Sequence, residues 1–154
     1  MFKFVFKTIF VILLIAGGFY HYFYYYNLQD RCSISLDPSF NSKVKMGDAK
    51  KAITVLRQAY PESYKAVCQN VKKISTEKLC ESDEIKACET RTLATLRAEK
   101  IVNIGTDKTD NFGYTVITLA EEACFMGGLQ DLNNTLEAQC SDLAGKIKRD
   151  IFKY

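Results

Sequence analysis

Histidine is nearly absent from this chain: of 154 residues only His21 carries an imidazole, and it lies inside an apolar run near the N-terminus. Beyond that run no Ser-His-Asp or Cys-His catalytic arrangement can be built, because both use an imidazole as base. A charge excess of one sign is missing as well. Residues 27–154 hold 19 Lys plus Arg against 18 Asp plus Glu, a net of +1, so nothing marks a nucleic-acid surface. No cysteine closely follows the apolar run, which leaves lipoprotein processing without an acceptor thiol, and there is no internal repeat or low-complexity tract.

Formal charge is also missing from Thr8 to Tyr26, nineteen residues in a row. As a helix this segment extends roughly 28 Å, close to the ~30 Å hydrocarbon core of a bilayer. Lys3 and Lys7 flank its N-terminal end, so the positive-inside rule keeps that end cytoplasmic and sends the remainder outward. The closing aromatic run, Phe19 to Tyr26 with His21 inside it, suits the headgroup region, where amphipathic rings settle. Ala16, Gly17 and Gly18 open a second reading, a signal peptide cut after a short apolar core. The aromatic run continues past that point and favours an uncleaved signal-anchor at residues 1–26, with the bilayer as the partner of Thr8 to Tyr26.

The 128 residues that follow suffice for one core and are too few for two comfortable ones. Residues 27–47 read as a polar linker containing Pro38, and residues 48–154 as an extracytoplasmic helical domain. The basic cluster Lys43, Lys45, Lys50 and Lys51 is either a solvated helix start or a contact for anionic headgroups. Asp48 is a helix cap, and Ala49, Ala52, Ile53, Leu56 and Tyr60 recur at three- and four-residue steps behind it. Pro61 ends that helix and suits the first turn of another, whose stripe is Tyr64, Val67, Cys68, Val71 and Ile74. Cys80 to Cys88 reads as a loop or single helical turn, Lys100 to Ile104 as a short strand, and Tyr114 to Met126 as a helix stopped by Gly127-Gly128. A last helix runs from about Asn134 to Phe152, with Leu136, Cys140, Leu143, Ile147 and Ile151 on one face. The fold class is therefore mainly α with a small β element, an α+β domain behind a transmembrane helix. Six cysteines in an exported domain imply up to three disulfides, among fifteen possible pairings.

The stretch Leu119-Ala120-Glu121-Glu122-Ala123-Cys124-Phe125, followed by a glycine turn and Leu136-Glu137-Ala138-Gln139-Cys140, resembles the active-site region of small exported zincin metalloproteases over about residues 100–140. The resemblance implies a zincin-like helical arrangement, with histidines expected at the positions of Glu121 and Phe125, the general base at Glu122 and a third ligand at Glu137. Two histidines four apart on a helix hold one Zn²⁺ while the glutamate activates its water. Both histidines are missing here, and Phe125 supplies no donor, so the expectation is a fold without its metal chemistry: no catalytic residue, no metal and no cofactor. The resemblance also places Cys124 and Cys140 on facing helices as a disulfide, and their predicted inward positions across the glycine turn agree with it. Cys80 with Cys88 and Cys32 with Cys68 follow by elimination.

Three functions are compatible with these residues. The first is a catalytically inactive, zincin-like module that binds a protein, peptide or envelope partner outside the membrane. The second is a glycoside hydrolase using Glu122 with Glu137 or Asp110, a chemistry that needs two carboxyl groups and no histidine. The third is an unrelated structural envelope protein. The topology shared by all three is testable: the full-length chain stays in the membrane fraction after alkaline carbonate extraction, and N-terminal sequencing recovers the intact anchor. A soluble mature protein beginning near Phe19 would overturn this reading.

Overall fold

A computed structural model describes residues 2–37, 46–75, 93–104, 112–128 and 134–153. Helix α1 spans Phe2–Phe23, and its Val5–Phe23 portion is long and apolar enough to cross a membrane, with none of it buried against the rest of the protein. A signal sequence meets the same criterion of length and composition. The helix passes directly into strand β1, Tyr24–Asn27, so the last three tyrosines expected within the spanning helix are strand residues instead. Aromatic side chains favour strands, and here their backbone pairs with a following strand.

That following strand is β2, Cys32–Leu36, which pairs antiparallel with β1 from Tyr24↔Ser35 to Asn27↔Cys32. Part of the stretch expected as a linker, 27–47, is thus a buried strand. The turn between the strands is organised by Asn27, whose Oδ1 accepts from the backbone N–H groups of Gln29 at 3.0 Å and Asp30 at 3.4 Å, and it closes through Arg31 at φ 50°. Helices α2, Met46–Ala59, and α3, Pro61–Asn70, then carry the chain to strand β3, Lys73–Ser75, parallel to β2. Ile74, expected on the α3 stripe, therefore belongs to the sheet, because α3 ends at Asn70.

The short helix α4, Leu93–Ala98, leads into strand β4, Ile101–Asn103, parallel to β3. Lys100 takes φ 62° at this junction, and its carbonyl accepts from the N–H groups of Lys72 at 2.8 Å and Lys73 at 3.4 Å. The described strands make one mixed sheet in the order β1-β2-β3-β4. Helix α5 covers Phe112–Gly127 and helix α6 covers Asn134–Ile151. The mainly helical α+β class is thus observed. Cys80 and Cys88 lie outside the described residues.

One face of the sheet forms the core. Alternation sends Cys32, Ile34 and Leu36 to the same side, and register aligns Leu36, Ile74 and Val102 in a single row. These side chains are buried with Ala49, Ala52, Ile53 and Leu56 of α2, Tyr64 and Val67 of α3, Val116, Leu119, Ala120 and Ala123 of α5, and Ile147 of α6. Gly113 lets the start of α5 approach the end of α6: a Cβ there would lie 2.8 Å from side-chain atoms of Ile151 and Phe152. At the same end of α6, Asp150 accepts a 3.3 Å hydrogen bond from the Tyr60 hydroxyl.

Among the described residues two disulfides tie the layers together. Cys32 of β2 pairs with Cys68 of α3 at a Cα separation of 4.8 Å, and Cys124 of α5 pairs with Cys140 of α6 at 5.6 Å. The two bridges close loops with sequence separations of 36 and 16 residues. On the chain-entropy relation, replacing Cys32 and Cys68 together by serine lowers the unfolding free energy by about 4 kcal/mol, and the same change at Cys124 and Cys140 by about 3 kcal/mol. Urea unfolding followed by circular dichroism measures both losses. Values below about 1 kcal/mol for both pairs would show that neither staple constrains the unfolded chain.

Candidate functional site

Glu122 lies on the inward face of α5 with Leu119, Ala123 and Met126, only 9 % exposed. A carboxylate on an apolar stripe needs a cation. Arg97 of α4 supplies it in a two-pronged contact, Nε to Oε2 at 2.6 Å and Nη2 to Oε1 at 2.8 Å. The Arg97 guanidinium carbon also stands 4.3 Å from the ring centroid of Phe125, one helical turn beyond Glu122. Charge-assisted pairing through both oxygens and a cation–π contact thus converge on one guanidinium. Two of the motif positions that suggested metal chemistry instead bolt α4 to α5.

Glu121 is partly buried on α5, and Cys124 is consumed by its disulfide with Cys140. Glu137 belongs to α6, while its side chain, like the whole of Asp110, lies outside the described residues. Among the described residues no group of three or more His, Cys, Asp or Glu side chains is placed to hold a metal ion.

Beside the Cys124–Cys140 bridge a groove of about 340 Å³ opens where α3, α5 and α6 meet. Its floor is set by Asn70, whose Nδ2 donates to the carbonyl of Ala123 at 3.1 Å and so satisfies a C-terminal carbonyl of α5. Gly127 leaves room for this contact, since a Cβ there would lie 2.6 Å from Asn70 Nδ2.

Sequence reasoning passed over two further polar features. At the carboxyl ends of the parallel strands, Ser75 stands opposite Asn103, with Asp37 next in line at the end of β2; all three are buried. Lys73 Nζ reaches Asp37 Oδ2 at 2.5 Å, and Ser75 Oγ is buried with no hydrogen-bond partner among the described residues. In open α/β sheets this end of the strands is where ligands bind. The signal in sequence was faint, a single polar residue closing each of the apolar fragments around Ile74 and Val102.

The second feature joins the hairpin to the helices. The Tyr64 hydroxyl of α3 donates to Asp30 Oδ2 at 3.0 Å and meets the Tyr25 hydroxyl at 3.4 Å, while Arg57 Nε of α2 lies 3.0 Å from Asp30 Oδ2. Burial first, then hydrogen bonding to Tyr25 and Asp30, pushes the Tyr64 phenol well above its ordinary pKa, so it stays protonated as a donor. Arg57 Nη2 also donates to Gln29 Oε1 at 3.2 Å.

Comparison with protein-family models, with curated proteins and with solved structures gives no match for this chain.

The Arg97–Glu122 contact generates a sharp expectation. Glu122→Ala strands a partly buried guanidinium and lowers stability by about 2–4 kcal/mol, whereas replacing Arg97 and Glu122 together by leucine costs less than Glu122→Ala alone. Denaturant unfolding of the three proteins measures this. A single-variant loss under about 0.5 kcal/mol would mean that the carboxylate is effectively solvated.

Proposed function

We propose that this protein is a membrane-anchored, disulfide-stapled module that acts by binding or by structure on the outer side of the membrane, without catalysis of its own. The observation that carries the reading is the occupation of Glu122. Its two oxygens are both committed to Arg97, so the one motif carboxylate suited to act as a base is spent on packing α4 against α5. A general base needs a lone pair directed at a substrate proton or a water, and a carboxylate that is 9 % exposed and engaged by a guanidinium at both oxygens is poorly placed for that role. The same occupation weighs against pairing Glu122 with a second carboxylate for glycoside cleavage.

Apolar α1 supports the anchored half of the proposal, as an exposed helix of spanning length that enters the domain through β1. Lys3 and Lys7 before it favour the orientation with the domain outside. Cystine pairs at two separate seams of the fold suit an oxidising compartment. A zincin-like ancestry enters the proposal only as a source of helix arrangement: the Glu122 and Phe125 positions retain a shared face, now turned to Arg97.

Metal analysis and a peptide-hydrolysis assay on the purified full chain test the reading, alongside the double variant Glu121→His with Phe125→His. The parent is expected to retain no stoichiometric zinc and to cleave no peptide. Tight zinc binding gained by the double variant would support the inherited geometry. A parent that itself carries zinc and hydrolyses peptide would overturn the non-catalytic reading.

A further inference from the structure

A cleft of about 350 Å³ lies where α1, β1 and α2 meet, lined by Tyr20, His21, Tyr24, Tyr25, Tyr26 and Lys50. Its position along the chain is informative. Tyr20 and His21 belong to the last turn of the membrane-length segment, which ends at Phe23, whereas Tyr24 to Tyr26 and Lys50 come from the domain. The cleft therefore straddles the level at which a spanning helix leaves the hydrocarbon and enters the headgroup layer.

Its walls are held in place. Tyr20 stacks on Tyr24 with ring centroids 4.5 Å apart and planes 13° from parallel, and Tyr26 meets the edge of Tyr20 at 6.4 Å. Tyr25 is fixed from behind through Tyr64, which is itself bonded to Asp30. Across the cleft, Lys50 of α2 donates through Nζ to the backbone carbonyl of His21. That carbonyl takes one of three ammonium donors and brings no charge. Among the described residues no carboxylate pairs with Lys50; the nearby Asp48 lies 3.9 Å from Lys51 instead. A partly buried cation lined by hydroxyl-bearing rings and lacking a counter-charge is complementary to a small anion that accepts hydrogen bonds.

We propose that this cleft binds the phosphodiester of a membrane phospholipid headgroup, with Lys50 as its counter-charge and the hydroxyls of Tyr20, Tyr24 and Tyr26 as further donors. The inference rests on the anchored reading above, because only a chain inserted through α1 presents the cleft at headgroup depth. A lipid is favoured over a soluble phosphate for the same reason: the cleft opens beside the helix turn that enters the bilayer. Burial pulls the Lys50 ammonium below its ordinary pKa, and an anion in the cleft would offset that by favouring the charged form.

A purely structural role for Lys50, capping the end of α1, is separable from the proposed one. Lys50→Gln keeps an N–H for the His21 carbonyl and removes the charge, while Lys50→Arg keeps both. The full chain is reconstituted in nanodiscs containing equal parts phosphatidylglycerol and a phosphate-free galactolipid, and the lipid retained after release is identified by native mass spectrometry. Wild type and Lys50→Arg are expected to retain phosphatidylglycerol in preference, and Lys50→Gln to lose that preference by at least about fivefold, as removal of one charge-assisted contact entails. Equal retention by Lys50→Gln, or no preference in the wild type, overturns the proposal. Displacement of the lipid by millimolar inorganic phosphate also overturns it, by assigning the cleft to a soluble anion. Flotation with liposomes after carbonate wash is scored on the same samples. A wild-type chain that fails to float removes the anchored reading and this inference together, whereas one that floats without lipid preference removes the inference alone.

Discussion

Helix α5 is enclosed on nearly every side, and most of the fold answers to that constraint. It packs on α2, α3, α4, α6 and β4, and nine of its residues are buried, among them Thr115 and Glu122. A helix so enclosed has little solvent face on which to park a polar group, so each polar group on its buried faces needs a partner inside the protein. Arg97 answers for Glu122, Asn70 answers for the terminal carbonyl of Ala123, and Gly113 gives up its side chain to admit Ile151 and Phe152. The Cys124–Cys140 bridge then fastens α5 to the neighbour with which it shares the glycine turn.

Much of this enclosure could be read along the chain. The stripes of α2, α5 and α6 repeat every three or four residues, and Ala49, Ala52, Ile53, Leu56, Val116, Ile117, Ala120, Ala123, Cys140 and Ile147 are all buried in the structure. Periodicity reports such faces because a long helix repeats its signal over several turns. The sheet was harder to see for the opposite reason. Strand β4 falls inside the stretch Lys100 to Ile104 read as a strand, but β3 has only three residues, too short for alternation to declare itself, and its Ile74 also fits the spacing of the preceding helix. Strand β2 does alternate, Cys32, Ile34 and Leu36 inward with Ser33 and Ser35 between, yet its serines and the nearby Pro38 gave the region a linker composition.

Legibility failed differently at the candidate site. The motif drew attention to Glu122 and Phe125 on α5, but their spacing cannot say whether that face meets a metal or a guanidinium. The deciding partner, Arg97, is 25 positions away on a six-residue helix with too little sequence to announce itself. Non-local charge pairs of this kind are invisible to periodicity, although a carboxylate falling on an apolar stripe is itself a demand for a cation. The row of Asp37, Ser75 and Asn103 was lost because its members come from three short strands and become neighbours only through register.

The absence of any spacer between α1 and β1 has a mechanical consequence. A domain on a flexible leash samples a volume that grows with the length of the leash and can meet partners well above the bilayer. Here the polypeptide changes from helix to strand between Phe23 and Tyr24, and the strand is clamped to the body of the domain by the Asp30, Tyr64 and Arg57 contacts. Inserted through α1, the domain has almost no slack: it sits on the surface at a fixed height, and its reach is little more than its own diameter. Partners would have to be embedded beside it or pressed close to the same leaflet, and a tilt of the helix would be transmitted through the hairpin to the whole sheet.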